Sequence, residues 1–232
     1  MEQITLMQSG ADSRYMSYVY DKIKEKFSYL PAEFNFSKQG EFTQVTCCSQ
    51  KQFCPYVQAF SKGLVADVIC VGYKYAYFDK RLRLPLLSAN EKRLLCTALV
   101  AADVKEEYAY VQEKIQDSPT CSIDGVFRFR AKQLKSRWEE VAEYIQSDFG
   151  QQSLSDFLRY VIQDGVGKVF VKENKVYNNE YKLISKSVLT GKSSLIGEIL
   201  LSGAGRVYTF GEADGETEKF LQKYYGEKRI FC

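Results

Sequence analysis

Apolar residues recur along this chain at two spacings, one helical and one strand-like, and the alternation between them outlines the elements. Ile4 to Met7 reads as an opening strand and is followed by the turn-rich Ser9-Gly10-Ala11-Asp12-Ser13. Tyr15, Val19, Ile23, Phe27 and Leu30 then recur every three or four residues, which predicts a helix that Pro31 stops. Phe34 to Phe36 and Phe42 to Cys48 read as two strands around the Gln39-Gly40 turn. Val57, Phe60, Leu64, Val68 and Gly72 form a second helical stripe, with Pro55 in its first turn and a short closing strand expected at Tyr73 to Tyr77.

Ser88 and Glu91 have the spacing of a capping box, and Leu95, Leu99, Ala102, Tyr108, Val111 and Ile115 follow with an irregularity around Asp103. A loop is expected from Asp117 to Gly125. Phe127, Ala131, Leu134, Trp138, Val141, Ile145 and Phe149, spaced 4, 3, 4, 3, 4 and 4, make the cleanest helical stripe and bury the only tryptophan. Leu154, Phe157, Leu158, Val161 and Ile162 predict one more helix. Beyond Gly165 come a hairpin turning at Asn174, a helix over Leu183 to Leu201 ended by Gly203 and Gly205, a strand at Arg206 to Phe210, a helix at Glu216 to Tyr225 and a last strand at Arg229 to Phe231. Strand, helix and strand in that order favour parallel pairing through a right-handed crossover.

The fold class is therefore α+β or α/β, in three stretches. They are a small N-terminal α/β unit over residues 1–85, a helical middle over 86–163, and a small C-terminal α/β unit with a partly parallel sheet over 164–232. At about 100–200 residues per domain, 232 residues allow one large domain or two small ones. A hydrophobic content of 45% with 14% aromatics supports a buried core.

Composition removes whole classes of chemistry. With no histidine, Ser-His-Asp and Cys-His nucleophiles and His-ligated zinc, iron or haem are excluded. An enzyme would have to use Asp, Glu, Lys, Tyr or Cys with a pKa moved towards neutrality. No metal or cofactor is expected. Thirty-two Lys and Arg against 29 Asp and Glu leave a net charge of +3, so an anionic partner needs a local patch. Seven scattered cysteines do not read as a secreted disulfide framework, the opening MEQITLMQSG lacks a signal-peptide pattern, and no apolar run approaches a membrane span. A cytoplasmic location with reduced thiols is the simplest expectation.

Several short motifs read as structure. Gly191-Lys192-Ser193-Ser194 resembles the end of a phosphate-binding loop, but Lys186 stands where the loop's first glycine belongs, so helix-start chemistry is the reading. Gly203-Ala204-Gly205 precedes a strand where a dinucleotide fingerprint follows one, and Gly211 to Gly215 lies between strand and helix without tight glycine spacing. Cys47, Cys48 and Cys54 match neither a redox pair nor a zinc pattern. The most unusual feature is Arg128, Arg130, Lys132, Lys135 and Arg137, five cations in ten residues without an acid, followed by Glu139, Glu140, Glu143 and Asp148. On a helix starting near Asp124 this order opposes the macrodipole. An anionic partner, with Phe129 available for stacking, is one explanation. Pairing with acids elsewhere, or a later helix start, is the other.

The segment Val126-Phe127-Arg128-Phe129-Arg130-Ala131-Lys132, the amphipathic helix after it and Asp156-Phe157-Leu158-Arg159-Tyr160-Val161 resemble the YtxC-like sporulation protein family. That family has a Phe-[Lys/Arg]-Phe-Arg-x-Lys core, a helix and a Phe-[Ile/Leu]-x-x-Leu-[Arg/Lys] segment in this order. The ending, with an apolar helix, a strand, an acidic turn, a helix and Gly226-Glu227-Lys228-Arg229-Ile230, is similar too. The likeness covers roughly 123–232, and more loosely the helical region from Ser88, and leaves the Tyr- and Cys-rich N-terminal half outside it. It implies a bacterial protein of the endospore-forming Firmicutes, without catalytic residues or cofactor. The expected function is a non-enzymatic binding or scaffold role in sporulation with a protein partner. The alternatives are a nucleic-acid-binding module using residues 128–137, and an enzyme with a carboxylate or lysine site in an α/β crevice.

Overall fold

The computed structural model describes residues 1–10 and 12–232, so of the expected Ser9–Ser13 turn Ala11 lies outside the described residues. The fold is α/β in character, with many helices and two mixed sheets that both contain parallel pairs. Backbone contacts divide the chain into two compact units. Unit 1 comprises Met1–Lys74 and Lys105–Glu139, and unit 2 comprises Tyr75–Val104 and Glu140–Cys232.

In unit 1, β1 (Glu2–Ser9) leads into α1 (Arg14–Phe27), and β2 (Glu33–Gln39) and β3 (Phe42–Ser49) form a hairpin around Gly40, whose φ of +60° suits glycine. A helix α2 (Cys54–Asp67) passes through a wide π-helical stretch, Val68–Tyr73, into α3 (Lys74–Arg81). The strand expected at Tyr73–Tyr77 is thus helical. Val68, Ile69, Cys70 and Val71 are all fully buried, and an apolar run buried on every side carries no period that separates strand from helix. After α4 (Ala89–Lys114) the chain adds β4 (Thr120–Ser122), parallel to β1, giving the order β2-β3-β1-β4. Ile4, Leu6, Val45 and Cys47 form the buried face of this sheet, and α1 and α2 pack against its strands.

A single helical turn α5 (Ile123–Gly125) runs into a π-helical turn, Val126–Arg130, and Ala131 (φ −109°, ψ 33°) separates that turn from α6 (Lys132–Tyr144). The long stripe expected from Phe127 to Phe149 is therefore broken at both ends. Trp138 nevertheless sits where the stripe places it, 1% exposed. Its indole Nε1 donates to Glu107 Oε1 at 2.8 Å, while Lys74 Nζ lies 3.0 Å from Glu107 Oε2. Lys74 and Glu107 are sealed, their side chains 1% and 3% exposed. Buried charges survive only when paired and hydrogen-bonded, and one carboxylate here serves both an ammonium and an indole. A run of ring contacts, Tyr15–Tyr73–Phe127–Trp138, each 5.3–5.4 Å between centroids, completes this core.

Unit 2 contains the expected capping box at the start of α4. Ser88 N and Oγ donate to Glu91 at 2.8 and 2.7 Å, and Glu91 N returns a bond to Ser88 Oγ at 3.3 Å. Beyond α7 (Gln151–Gln163), β5 (Gly167–Lys172) and β6 (Lys175–Tyr177) form the hairpin at Asn174, where Glu173 and Asn174 both take positive φ. The helix expected over Leu183–Leu201 is shorter. Leu183–Ile184 is β7, Lys186–Thr190 is a 3-10 turn, Gly191 has φ +85°, and α8 (Leu195–Leu201) starts only at the cap Ser194. Then β8 (Ala204–Phe210), α9 (Gly215–Tyr224) and β9 (Arg229–Phe231) complete a sheet of order β7-β6-β5-β8-β9, with β5, β8 and β9 parallel. The two α/β ends hold separate sheets. No helix among the described residues is long and apolar enough to cross a membrane.

Glu107→Ala removes an acceptor shared by Trp138 and Lys74 and is expected to destabilise the protein by about 3–5 kcal/mol. Denaturant unfolding followed by circular dichroism measures this, and a loss below about 1 kcal/mol would show that the carboxylate does not hold the core.

Candidate functional site

All five cations singled out in the sequence are exposed in unit 1, two on the π-helical turn and three on α6. Arg130 Nη2 donates to Gln116 Oε1 at 2.7 Å, and Lys135 lies 3.5 Å from Glu139. Arg128, Lys132 and Arg137 form no ion pair among the described residues. The acids that follow do not neutralise them, and the first turn of α6 holds no acid. The helix does start later than Asp124, yet Lys132 and Lys135 still open it against its dipole, unfavourable by about 0.3–1 kcal/mol per exposed charge.

Local packing explains why these side chains point outward. Val126, Ala131, Leu134 and Trp138 are buried at 4%, 0%, 0% and 1% exposure, and Phe127 stacks on Trp138, so Arg128, Arg130, Lys132, Lys135 and Arg137 are left facing solvent. Phe129, 73% exposed, stands among Arg128, Arg130 and Lys132. Beside it Ser118, Thr120, Ser122, Phe129 and Arg130 line a recess of about 250 Å³. The turn is tied down at its base by Asp124, which accepts from Ser9 N at 2.7 Å, Ser9 Oγ at 3.0 Å and Tyr73 Oη at 3.0 Å. Burial first, and the Asp124 charge second, push the Tyr73 phenol well above its ordinary range, so it stays a donor.

In unit 2 a cleft of about 430 Å³ brings together two segments the sequence offers separately, Thr190–Ser194 and Asp214–Thr217, with Glu91 and Arg93 on its wall. Its polar groups are largely engaged in capping. Ser194 Oγ accepts from Gly197 N at 3.2 Å, and Asp214 Oδ1 accepts from Glu216 N and Thr217 N at 3.1 and 2.9 Å. The Ser88 bonds hold Glu91, and the Thr217 amide holds Asp214, below the usual carboxylate range, so both are weak bases at neutral pH. A 3-10 turn stands where a phosphate loop needs a strand. Gly191-Lys192-Ser193-Ser194 is a helix start here.

Lys74 and Glu107, the closest lysine–carboxylate pair in the interior, line neither cavity. The sequence reading missed them. The signal was a charged residue at a core position, since Val100, Val104, Glu107 and Val111 are spaced 4, 3 and 4 along α4. Among the described residues no group of three or more His, Cys, Asp or Glu side chains is arranged to hold a metal ion. The cysteines are free thiols; Cys47, Cys54, Cys70 and Cys96 are buried and Cys232 is exposed. Burial pushes the Cys47 thiol up to about 11 and the Cys96 thiol up to about 12, away from nucleophilic chemistry.

A thiol reagent added to the native protein at pH 7.5 is expected to modify Cys232 at the rate of a free thiol, and the four buried cysteines only on unfolding. Mass mapping of the labelled sites checks this, and rapid native labelling of Cys47 or Cys96 would contradict it.

A scan against protein-family models found no match to this chain, and searches of curated proteins and of solved structures found none either.

Proposed function

We propose that this chain is a YtxC-like, sporulation-associated protein of the bacterial cytoplasm that works by binding and not by catalysis. The partner on this reading is a protein carrying an acidic surface, and Arg128, Arg130, Lys132, Lys135 and Arg137 form the surface that meets it. The observation that carries the reading is the outward, unpaired state of Arg128, Lys132 and Arg137 around the exposed Phe129. Cations kept at the start of a helix against its dipole have no stabilising role there, which leaves recognition as their use.

Two further observations support it. The residues carrying the family resemblance, Phe127 to Lys132, coincide with the π-helical turn and the first residue of α6. π-Helical turns inside helical segments gather at functional sites. The weak basicity of Glu91 and Asp214, together with the sealed state of Lys74 and Glu107, favours binding over catalysis.

The test is complementation of a sporulation-defective null strain of the source bacterium. The variant Arg128→Glu/Lys132→Glu/Arg137→Glu is expected to unfold within about 1 kcal/mol of wild type, because exposed charges contribute little to stability. It is also expected to leave sporulation at the level of the null strain. Sporulation restored as fully by this variant as by wild type would reduce the cluster to a solvated face.

A further inference from the structure

The five strands of the unit 2 sheet, Gly167–Lys172, Lys175–Tyr177, Leu183–Ile184, Ala204–Phe210 and Arg229–Phe231, contain no Asp or Glu. Their pleat sorts the side chains into two faces. Val169, Val171, Val176, Val207 and Thr209 are 0–4% exposed, and α7 and α8 pack on these strands. The residues alternating with them point the other way. Register places Leu183, Tyr177, Phe170, Tyr208 and Ile230 in one row across all five strands. Lys168 beside Arg206 flanks that row on one side, and Lys175, Lys172 and Phe210 flank it on the other.

This second face is open. Lys168, Lys172, Lys175, Arg206, Leu183, Phe210 and Ile230 are exposed, and Tyr177 and Tyr208 are half-buried. Phe170 is covered by Tyr181, whose ring stacks on it at 4.5 Å and 18° and is itself 66% exposed. Lys168 Nζ lies 5.6 Å from the Phe170 ring and 5.9 Å from the Tyr208 ring. The acids close to these strands in sequence lie outside them: Glu173 in the hairpin turn, Glu180, which pairs with Lys182, and Glu212 beyond Phe210.

We propose that this face is a binding platform for single-stranded nucleic acid. Unstacked bases lie on Tyr177, Tyr181, Tyr208 and Phe210, and backbone phosphates reach Lys168, Lys172, Lys175 and Arg206. Charge complementarity selects the occupant. An apolar protein face would not meet four cations without an acid, and a duplex offers no free base faces to the exposed rings of this sheet. The bases of RNA and DNA single strands share the π-face this surface reads. The platform is separate in sequence and in sheet from residues 128–137, and the proposal stands whether or not that cluster binds a protein.

Fluorescence anisotropy with the full-length protein tests it, using labelled oligo-uridine, oligo-thymidine and a duplex of the same length at two salt concentrations. Both single strands are expected to bind more tightly than the duplex and to weaken as salt rises. Tyr208→Leu/Phe210→Leu is expected to lower single-strand affinity by about tenfold or more, in line with the loss of one or two stacked bases. Lys168→Gln/Arg206→Gln, at exposed positions, is expected to keep the melting temperature and flatten the salt dependence. Arg128→Glu/Lys132→Glu/Arg137→Glu is expected to bind oligonucleotide like wild type, which separates this surface from the other. No binding at low salt, equal affinity for the duplex, or loss of binding only in the residue 128–137 variant would each overturn the proposal.

Discussion

A single carboxylate organises unit 1. Glu107 receives the indole of Trp138 on one oxygen and the ammonium of Lys74 on the other, both out of reach of water. Taking an ion pair out of water adds little net stability compared with apolar residues of the same volume. Its consequence is geometric, because the three groups come from different stretches of chain: Lys74 opens α3, Glu107 lies in the second half of α4, and Trp138 is on α6. With Trp138 drawn inward, Lys132, Lys135 and Arg137 are turned to the exposed side of α6, where Lys135 meets Glu139 and Lys132 and Arg137 form no ion pair among the described residues. The ring contacts from Tyr15 through Tyr73 and Phe127 to Trp138 extend the same constraint to the turn that carries Arg128 and Arg130.

The two surfaces with functional potential share a physical logic despite different scaffolds. In each, apolar burial at fixed spacing forces the intervening residues outward, and those residues are cationic with aromatic rings among them. On the π-helical turn and α6 the period is helical and the exposed aromatic is the single ring of Phe129; on the unit 2 sheet the period is two and the rings form a row. A net charge of +3 conceals both, because acids elsewhere on the chain cancel the sum while the cations of both patches stay exposed. Charge balance over a whole chain describes long-range attraction and says nothing about local recognition.

Much of this was legible in the sequence where one local rule acted alone. The capping box at Ser88 and Glu91, the hairpin at Asn174, the parallel pairing of β8 with β9 and the burial of Trp138 follow from turn chemistry and spacing. Reading failed where two signals competed. Tyr73–Tyr77 combines aromatic strand formers with a helix arriving from Cys54, and the helix continued. Leu183–Leu201 has helical composition, but the positive φ at Gly191 and the cap at Ser194 divided it. The α6 cluster was visible as a run of cations. The sheet platform was not, because Lys168-x-Phe170-x-Lys172 and Arg206-x-Tyr208-x-Phe210 become one surface only when register sets them side by side.

The role given to Glu107 is tested most directly on the lone indole, whose single side-chain N–H resonance belongs to Trp138 without ambiguity. Hydrogen exchange of that proton into deuterated buffer reads its burial and its bond together. Exchange as slow as the most protected backbone amides, reached only through global unfolding, is the predicted result. Exchange complete within the first minutes, while the backbone of α4 and α6 remains protected, would contradict it.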